Sequence, residues 1–252
     1  RTVNLISCSR VIDGIIQKGQ AQMAKTTKST VKQPTQDIGI KISPLEVKVM
    51  PVLIIGDAPL ICHAWSQKAK LAMLAKQLKQ AATGREAKDP VQDFKDSLYP
   101  LVGGGYGFPS VAVKAAAVTA CTSVEGITKV AARQAFHILG ESVEIPTAFD
   151  GRLMRQDMIR IIGAEPEMRE DMVRVGMGTA DIRYRSQFWP WRAKVIVRYN
   201  RRALSEEQII NLINNAGFGV GIGEWRPEKD GQAGLFHVAT SDEARQFLKK
   251  AA

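Results

Sequence analysis

The sequence predicts an α+β protein, a modified ferredoxin-like antiparallel sheet with helices on one face and long insertions. Three observations carry this. Residues 45–55 alternate and then become continuously apolar, as a strand entering the middle of a sheet does. Residues 182–202 set cations against apolar side chains with a period of two. Between that segment and another strand pattern at 234–239 lies a helix announced by a capping box, Ser205 with Gln208 three residues on. A helix crossing between strands of one sheet, with pairing on both sides, is the grammar of that fold.

The elements follow in order. Residues 24–37 are polar and aperiodic, and 1–37 read as a disordered basic tail. Residues 1–22 are expected to be a translated, non-native leader. Met23 is the first methionine, and the codons for Lys18 and Gly19 must read AAR-GGN, like a bacterial ribosome-binding site three codons upstream of it. Residues 38–252 are expected to form one domain. After the first strand, Gly56, Asp57 and Pro59 make a turn, and 60–64 return as a short strand. Ser66 caps a helix reaching about Ala82, with Leu71, Leu74, Ala75 and Leu78 as its buried stripe. Residues 83–101 are charged and read as an insertion or long loop. Glycines at 103–105 and 107 lead into a buried Ala/Val helix over 111–122, and a second helix is expected from 128 to 139, stopped by Gly140. Residues 142–199 are strand-like. The capped helix carries Ile209, Ile210, Leu212, Ile213 and Ala216 on one side and is expected to end at Gly217, before strands at 218–223 and 234–239 and a closing helix at 241–250. No fixed-period repeat or heptad run is present.

At 45% hydrophobic residues, 252 residues can bury a core. Apolar runs fall far below the ~18 residues of a membrane span, so no membrane partner is expected. Cys8, Cys62 and Cys121 with His63, His137 and His237 are too few and scattered for a disulfide framework or zinc module, which predicts a reducing, cytoplasmic setting, no metal and no cofactor. Lys and Arg number 35 against 25 Asp and Glu, a net charge of +10 that points to a polyanionic partner. That charge is local: residues 1–33 carry +5, and 182–202 alone carry +7.

The window 182–202 is the main candidate site. Arg183, Arg185, Arg192, Lys194 and Arg198 interleave with Tyr184, Trp189 and Trp191, and no acid interrupts them. Cations that pair with phosphates and rings that stack on bases suit a single strand. Alternation puts Arg192, Lys194, Ile196 and Arg198 on one face and Val195, Val197 and Tyr199 on the other. A second candidate is the glycine run Gly217, Gly219, Gly221, Gly223, followed by Trp225 and Arg226. In an extended strand it leaves one face bare for a close backbone or ligand. A third is the glycine-rich loop before the 111–122 helix, where Lys114 could reach a phosphate at the helix start. Signals for catalysis are poor. Cys62 and His63 point to opposite faces of a strand, His137 and His237 read as packed or surface histidines, and Glu165, Glu167, Glu170 and Asp171 read as a solvated turn. Asp157 and Asp181 read as ion-paired.

Residues 108–117, a Pro followed by small residues, a hydrophobe, Lys114 and more small residues, resemble the first helix region of RAMP-superfamily proteins, the repeat-associated RNA-binding family that forms the backbone of CRISPR effector complexes. The run 217–223 is similar to that family's glycine-rich loop. The resemblance implies a modified RNA-recognition core with Lys114 and the glycine-rich segment near bound RNA, and a thumb-like element at 83–101. Residues 59–238 also resemble an uncharacterised family of bacteriophage proteins, through 168–174, 178–183 and 219–227. It implies no activity, and it implies a phage-encoded chain in a bacterial host cell.

The expected function is therefore non-catalytic binding of single-stranded RNA or DNA, RNA favoured, by a protein that oligomerises or forms a filament along the strand. Two alternatives stand beside it: a phage protein that anneals single-stranded DNA in recombination, and a phage structural or assembly protein. A metal-independent ribonuclease using His63 or His137 ranks last.

Overall fold

The computed structural model describes residues 44–80, 87–163, 165–174, 178 and 180–251. Contacts divide the chain into 1–43 and Pro44–Ala252, and all that follows concerns the second unit. The expected tail and leader lie outside the described residues.

The elements are β1 (Val47–Gly56), β2 (Leu60–Cys62), α1 (Gln67–Gln77), α2 (Pro90–Asp96), β3 (Gly107–Pro109), α3 (Ser110–Ala120), α4 (Lys129–Ala135), β4 (Phe136–Leu139), β5 (Glu141–Pro146), β6 (Leu153–Gly163), β7 (Glu167–Arg174), β8 (Ala180–Phe188), β9 (Trp191–Asn200), α5 (Glu206–Gly219), β10 (Phe236–Val238) and α6 (Ser241–Ala251). Every pairing between strands is antiparallel. The fold is α+β, as the sequence predicts. Taken in the order β1, α3, β4, β9, α5, β10, the chain traces a β-α-β-β-α-β path whose strands lie β10-β1-β9-β4, the ferredoxin-like arrangement. The longest additions fall between β1 and α3 and between β4 and β9; α4 is added between α3 and β4, and α6 follows β10.

Helices α3 and α5 cover one face of this sheet. Val113, Ala116, Ala117 and Ala120 of α3 and Ile209, Leu212, Ile213 and Ala216 of α5 are buried against Val52, Ile54, Val195, Val197 and Tyr199. Each fully buried Val, Leu or Ile side chain contributes about 1.5–3 kcal/mol. The alanines let α3 come close to α5. At the far end of α5 a Cβ on Gly217 would sit 1.8 Å from the Phe236 carbonyl oxygen, so only glycine lets the helix seat on β10. The capping box forms as expected, Ser205 accepting from the Gln208 amide and Gln208 from that of Ser205.

The second insertion is a long ribbon. Ile161 faces Ala193 and Gly163 faces Trp191; beyond a gap, Glu167 faces Gln187 and Arg174 faces Ala180, so one register runs through β6–β9 and β7–β8. Pro166 and Pro190, which have no N–H to donate, stand in the gap. The distal half becomes a separate sheet, tied to the core by β2 along the other edge of β8.

Four expectations are corrected. The helix expected over 128–139 stops at Ala135, because Phe136 and Ile138 bury on alternate positions and pair with β9 as a strand. The strand expected at 218–223 does not form: Gly217 and Gly219 belong to α5, and Gly221 and Gly223 take left-handed φ angles of +69° and +83° in a turn. The stripe of the first helix is not a core face, since α1 has no buried residue and Leu71 and Leu78 are exposed. Glu167, Glu170 and Asp171 lie on strand β7, where they pair with β8. Of the 83–101 segment, the described residues from 87 on hold a helix, α2, capped by Asp89 and packed on β8 through a buried Ser97–Ser186 hydrogen bond of 3.0 Å.

Candidate nucleic-acid interface

Strand β9 alternates fully. Trp191, Ala193, Val195, Val197 and Tyr199 are buried beneath the helices, so Arg192, Lys194, Ile196 and Arg198 emerge on the opposite, open face. The register places Val49, Pro51, Leu53 and Ile55 of β1 beside Arg198, Ile196, Lys194 and Arg192 in turn. On the other flank His137 and Leu139 of β4 stand beside Arg198 and Ile196, and Ile162 beside Arg192. The face is thus a cationic stripe between two apolar ones.

At one border of the stripe the side chain of Lys114 leaves α3 and meets His137, Nζ to Nδ1 3.1 Å. Burial lowers the pKa of His137, and the charges of Lys114 and Arg198 lower it further; burial lowers that of Lys114. The imidazole is therefore neutral near pH 7, accepts at Nδ1 from the ammonium and presents Nε2–H as a donor. Among the described residues no carboxylate lies within ion-pair distance of Lys114, Lys194 or Arg198. Cations gathered without a counter-charge make a place for an anion.

The other end of the stripe is covered. His237, on the open face beside Ile55, meets Asp57 at 2.7 Å through Nδ1 and Glu243 of α6 at 3.3 Å through Nε2. Four residues on, Phe247 stacks with Arg192, its ring centroid 6.0 Å from the guanidinium carbon. Residues four apart share a helix face, so α6 crosses the sheet from β10 to β9 with that face down.

The remaining expected site residues divide differently. Arg185 is 2% exposed; its guanidinium contacts Asp171 at 3.4 Å and Glu224 at 4.0 Å, and its Nε has no hydrogen-bond partner among the described residues. Arg169 closes the same network through Asp171 and Gln187. Arg185 is thus an internal charge and not a phosphate contact, because β7 brings carboxylates against a window that is acid-free only in sequence. Trp191 is a core residue, 1% exposed, its indole N–H donating to the Ala58 carbonyl at 2.8 Å, so it has no face for a base. Arg183 and Tyr184 are half-buried on β8 opposite Asp171 and Glu170, while Trp189 stays 45% exposed between the ribbon's halves.

Gly219 is helical. Gly221 and Gly223 shape the turn that follows, Trp225 is partly exposed, and Arg226 is bound to Glu228 at 2.8 Å and to the Gly223 carbonyl at 3.0 Å. Lys114 does not join them. At 100° per residue it points across α3 from Ala112, Ala115 and Thr119, which face the turn. The glycine-rich loop before α3 is held by Arg160, which donates to the Gly104 carbonyl and to both oxygens of Glu141. Cys62 is buried and its thiol pushed up by burial, so it offers no thiolate at neutral pH. Among the described residues no three His, Cys, Asp or Glu converge to hold a metal, and no helix is long and apolar enough to cross a membrane. His137 is the site residue the sequence reading passed over; the alternation of Phe136 to Leu139, read as a strand, would have set it beside a basic one.

No family model and no curated protein matches the chain, so the bacteriophage resemblance rests on the sequence motifs alone. Among solved structures the chain is similar to Cmr6 from Pyrococcus furiosus, at 11% identity over 78% of this chain and 100% of that one, with a TM-score of 0.36.

Proposed function

We propose that the chain binds single-stranded nucleic acid on the open face of its sheet, without catalysis, RNA being favoured over DNA. One observation carries the proposal: Lys114, His137 and Arg198 gather at the border of an exposed sheet face with no carboxylate of the described residues beside them. Phosphates meet the cationic stripe, while Val49, Pro51, Leu53 and Leu139 offer apolar surface to bases. The preference for RNA rests on the likeness of residues 108–117 to the RAMP superfamily, whose lysine position is Lys114 here.

Fluorescence anisotropy with a labelled oligonucleotide of about 20 residues tests it. Lys114→Glu and Arg198→Glu should each weaken binding about ten-fold or more, and the same reversal at Arg152, exposed on the β5–β6 hairpin, should not. Equal affinity of all three variants and the parent would overturn the proposal. Cooperative isotherms on longer strands would support assembly along the strand, and faster pairing of complementary DNA would favour annealing.

A further inference from the structure

Between α3 and the turn after α5 lies a cleft of about 350 Å³, within the size range of small-ligand sites. Small residues create it: Ala112, Ala115 and Ala116 form one wall, and the Phe108 ring, Val220 and Ile222 extend it. The facing wall is fixed in place. A Cβ on Gly223 would lie 2.6 Å from the Ile61 carbonyl oxygen, and the next amide, Glu224, donates to that oxygen at 3.0 Å. Arg226 and Glu228 neutralise each other across this turn.

Glu224 is held only at long range. Its carboxylate is 3.7 Å from His63 Nδ1 and 4.0 Å from Arg185 Nη2, both beyond hydrogen-bond length, and its side chain is 44% exposed at the cleft. The interaction with His63 leads the forces holding its pKa below the ordinary value, against partial burial and with help from Arg185 and Arg183. Tyr99, its hydroxyl pushed up to about 12 chiefly by burial, adds a phenol that keeps its proton. A cleft with an alanine wall on one side and a polar rim on the other, where Glu228 is taken up by Arg226 and the Glu224 carboxylate has no partner at hydrogen-bond length, suits a flat ligand that presents two parallel N–H donors on one edge. Of the bases of nucleic acid, only guanine does so. Adenine and cytosine place a ring acceptor beside their amino group, and uracil flanks its N–H with two carbonyl oxygens.

We propose that this cleft is a guanine pocket, in which the Glu224 carboxylate accepts from N1–H and N2–H while the purine lies on the alanine wall of α3. The choice of a base as ligand rests on the function proposed above, and the test keeps the two apart by using nucleosides, which carry no phosphate. Guanosine, adenosine, cytidine and uridine are titrated into the full chain by isotope-edited NMR, following amides 220–228. Guanosine should bind at least about ten-fold more tightly than the others, the discrimination expected of one bidentate pair. Glu224→Gln should remove that preference, and Ala115→Leu, which fills the slot without touching the carboxylate, should remove binding; a cooperative melting transition in each shows that both variants fold. Equal binding of all four nucleosides, or guanosine preference surviving Glu224→Gln, overturns the pocket. If guanine-free oligonucleotides still respond to Lys114→Glu, the open-face interface stands regardless.

Discussion

A neutral histidine held between two cations is a proton sink waiting for an anion. His137 is lowered by burial and by Lys114 and Arg198; a phosphate beside it would reverse that electrostatic effect and raise its pKa, so binding takes up a proton. By linkage, affinity rises as pH falls from neutrality through the range in which the bound imidazole takes up its proton. Anisotropy titrations across that interval should show the rise, and His137→Gln should flatten it; an unchanged slope in the variant would remove His137 from the interface. The core shows the opposite use of a side chain. Trp191 fills the space over Gly56 so closely that a Cβ there would meet its indole nitrogen at 2.2 Å. Gly56→Ala must displace a fully buried ring that also hydrogen-bonds Ala58, and overpacking of this kind costs about 1–3 kcal/mol. Chemical denaturation should report the loss, while binding per folded molecule stays the same.

Helix α6 decides how much of the stripe is open. Its contacts are Glu243 on His237 and Phe247 on Arg192, so it occupies a cation the proposed interface could use. Phe247→Ala should release Arg192 and tighten oligonucleotide binding by about two- to five-fold, the scale of one added cation–phosphate contact. Weaker binding instead would place α6 in the interface itself. The clip responds to pH. Burial pulls the pKa of His237 down, but the hydrogen bonds and charges of Asp57 and Glu243 outweigh it and leave it raised. Its contribution is therefore complete below the ordinary histidine value and is lost as pH rises through the raised one. Proteolysis at residues 241–251 should accelerate above neutral pH in the parent and be fast at every pH in His237→Ala.

At the scale of the molecule, what the sequence revealed depended on how far apart the interacting residues lie along it. The faces of β9 were legible because alternation is local, and the start of α5 because a capping box spans three residues. The confinement of Arg185 was not, since Asp171 and Glu224 arrive from another strand and from the turn after α5. Nor was the union of Lys114 with Arg198, which needs β4 to bring His137 beside both. This bears on the net charge of +10, which by itself suggests diffuse attraction to any polyanion. On the described unit the open cations of the face reduce to Lys114, Lys194 and Arg198, with Arg192 under α6. Each phosphate contact on a single strand contributes about −0.7 to the slope of log K against log salt, so three contacts give about −2, or roughly a fifteen-fold loss between 50 and 200 mM. If the six basic residues of 1–33 also met phosphates, the slope would steepen to about −6. A salt titration of the parent and of Lys114→Glu/Lys194→Glu separates the cases. The face-only interface requires a slope near −2 that flattens to about −0.7 in the double variant, whereas a steep slope that the variant leaves nearly unchanged would move the binding charge to the first 33 residues.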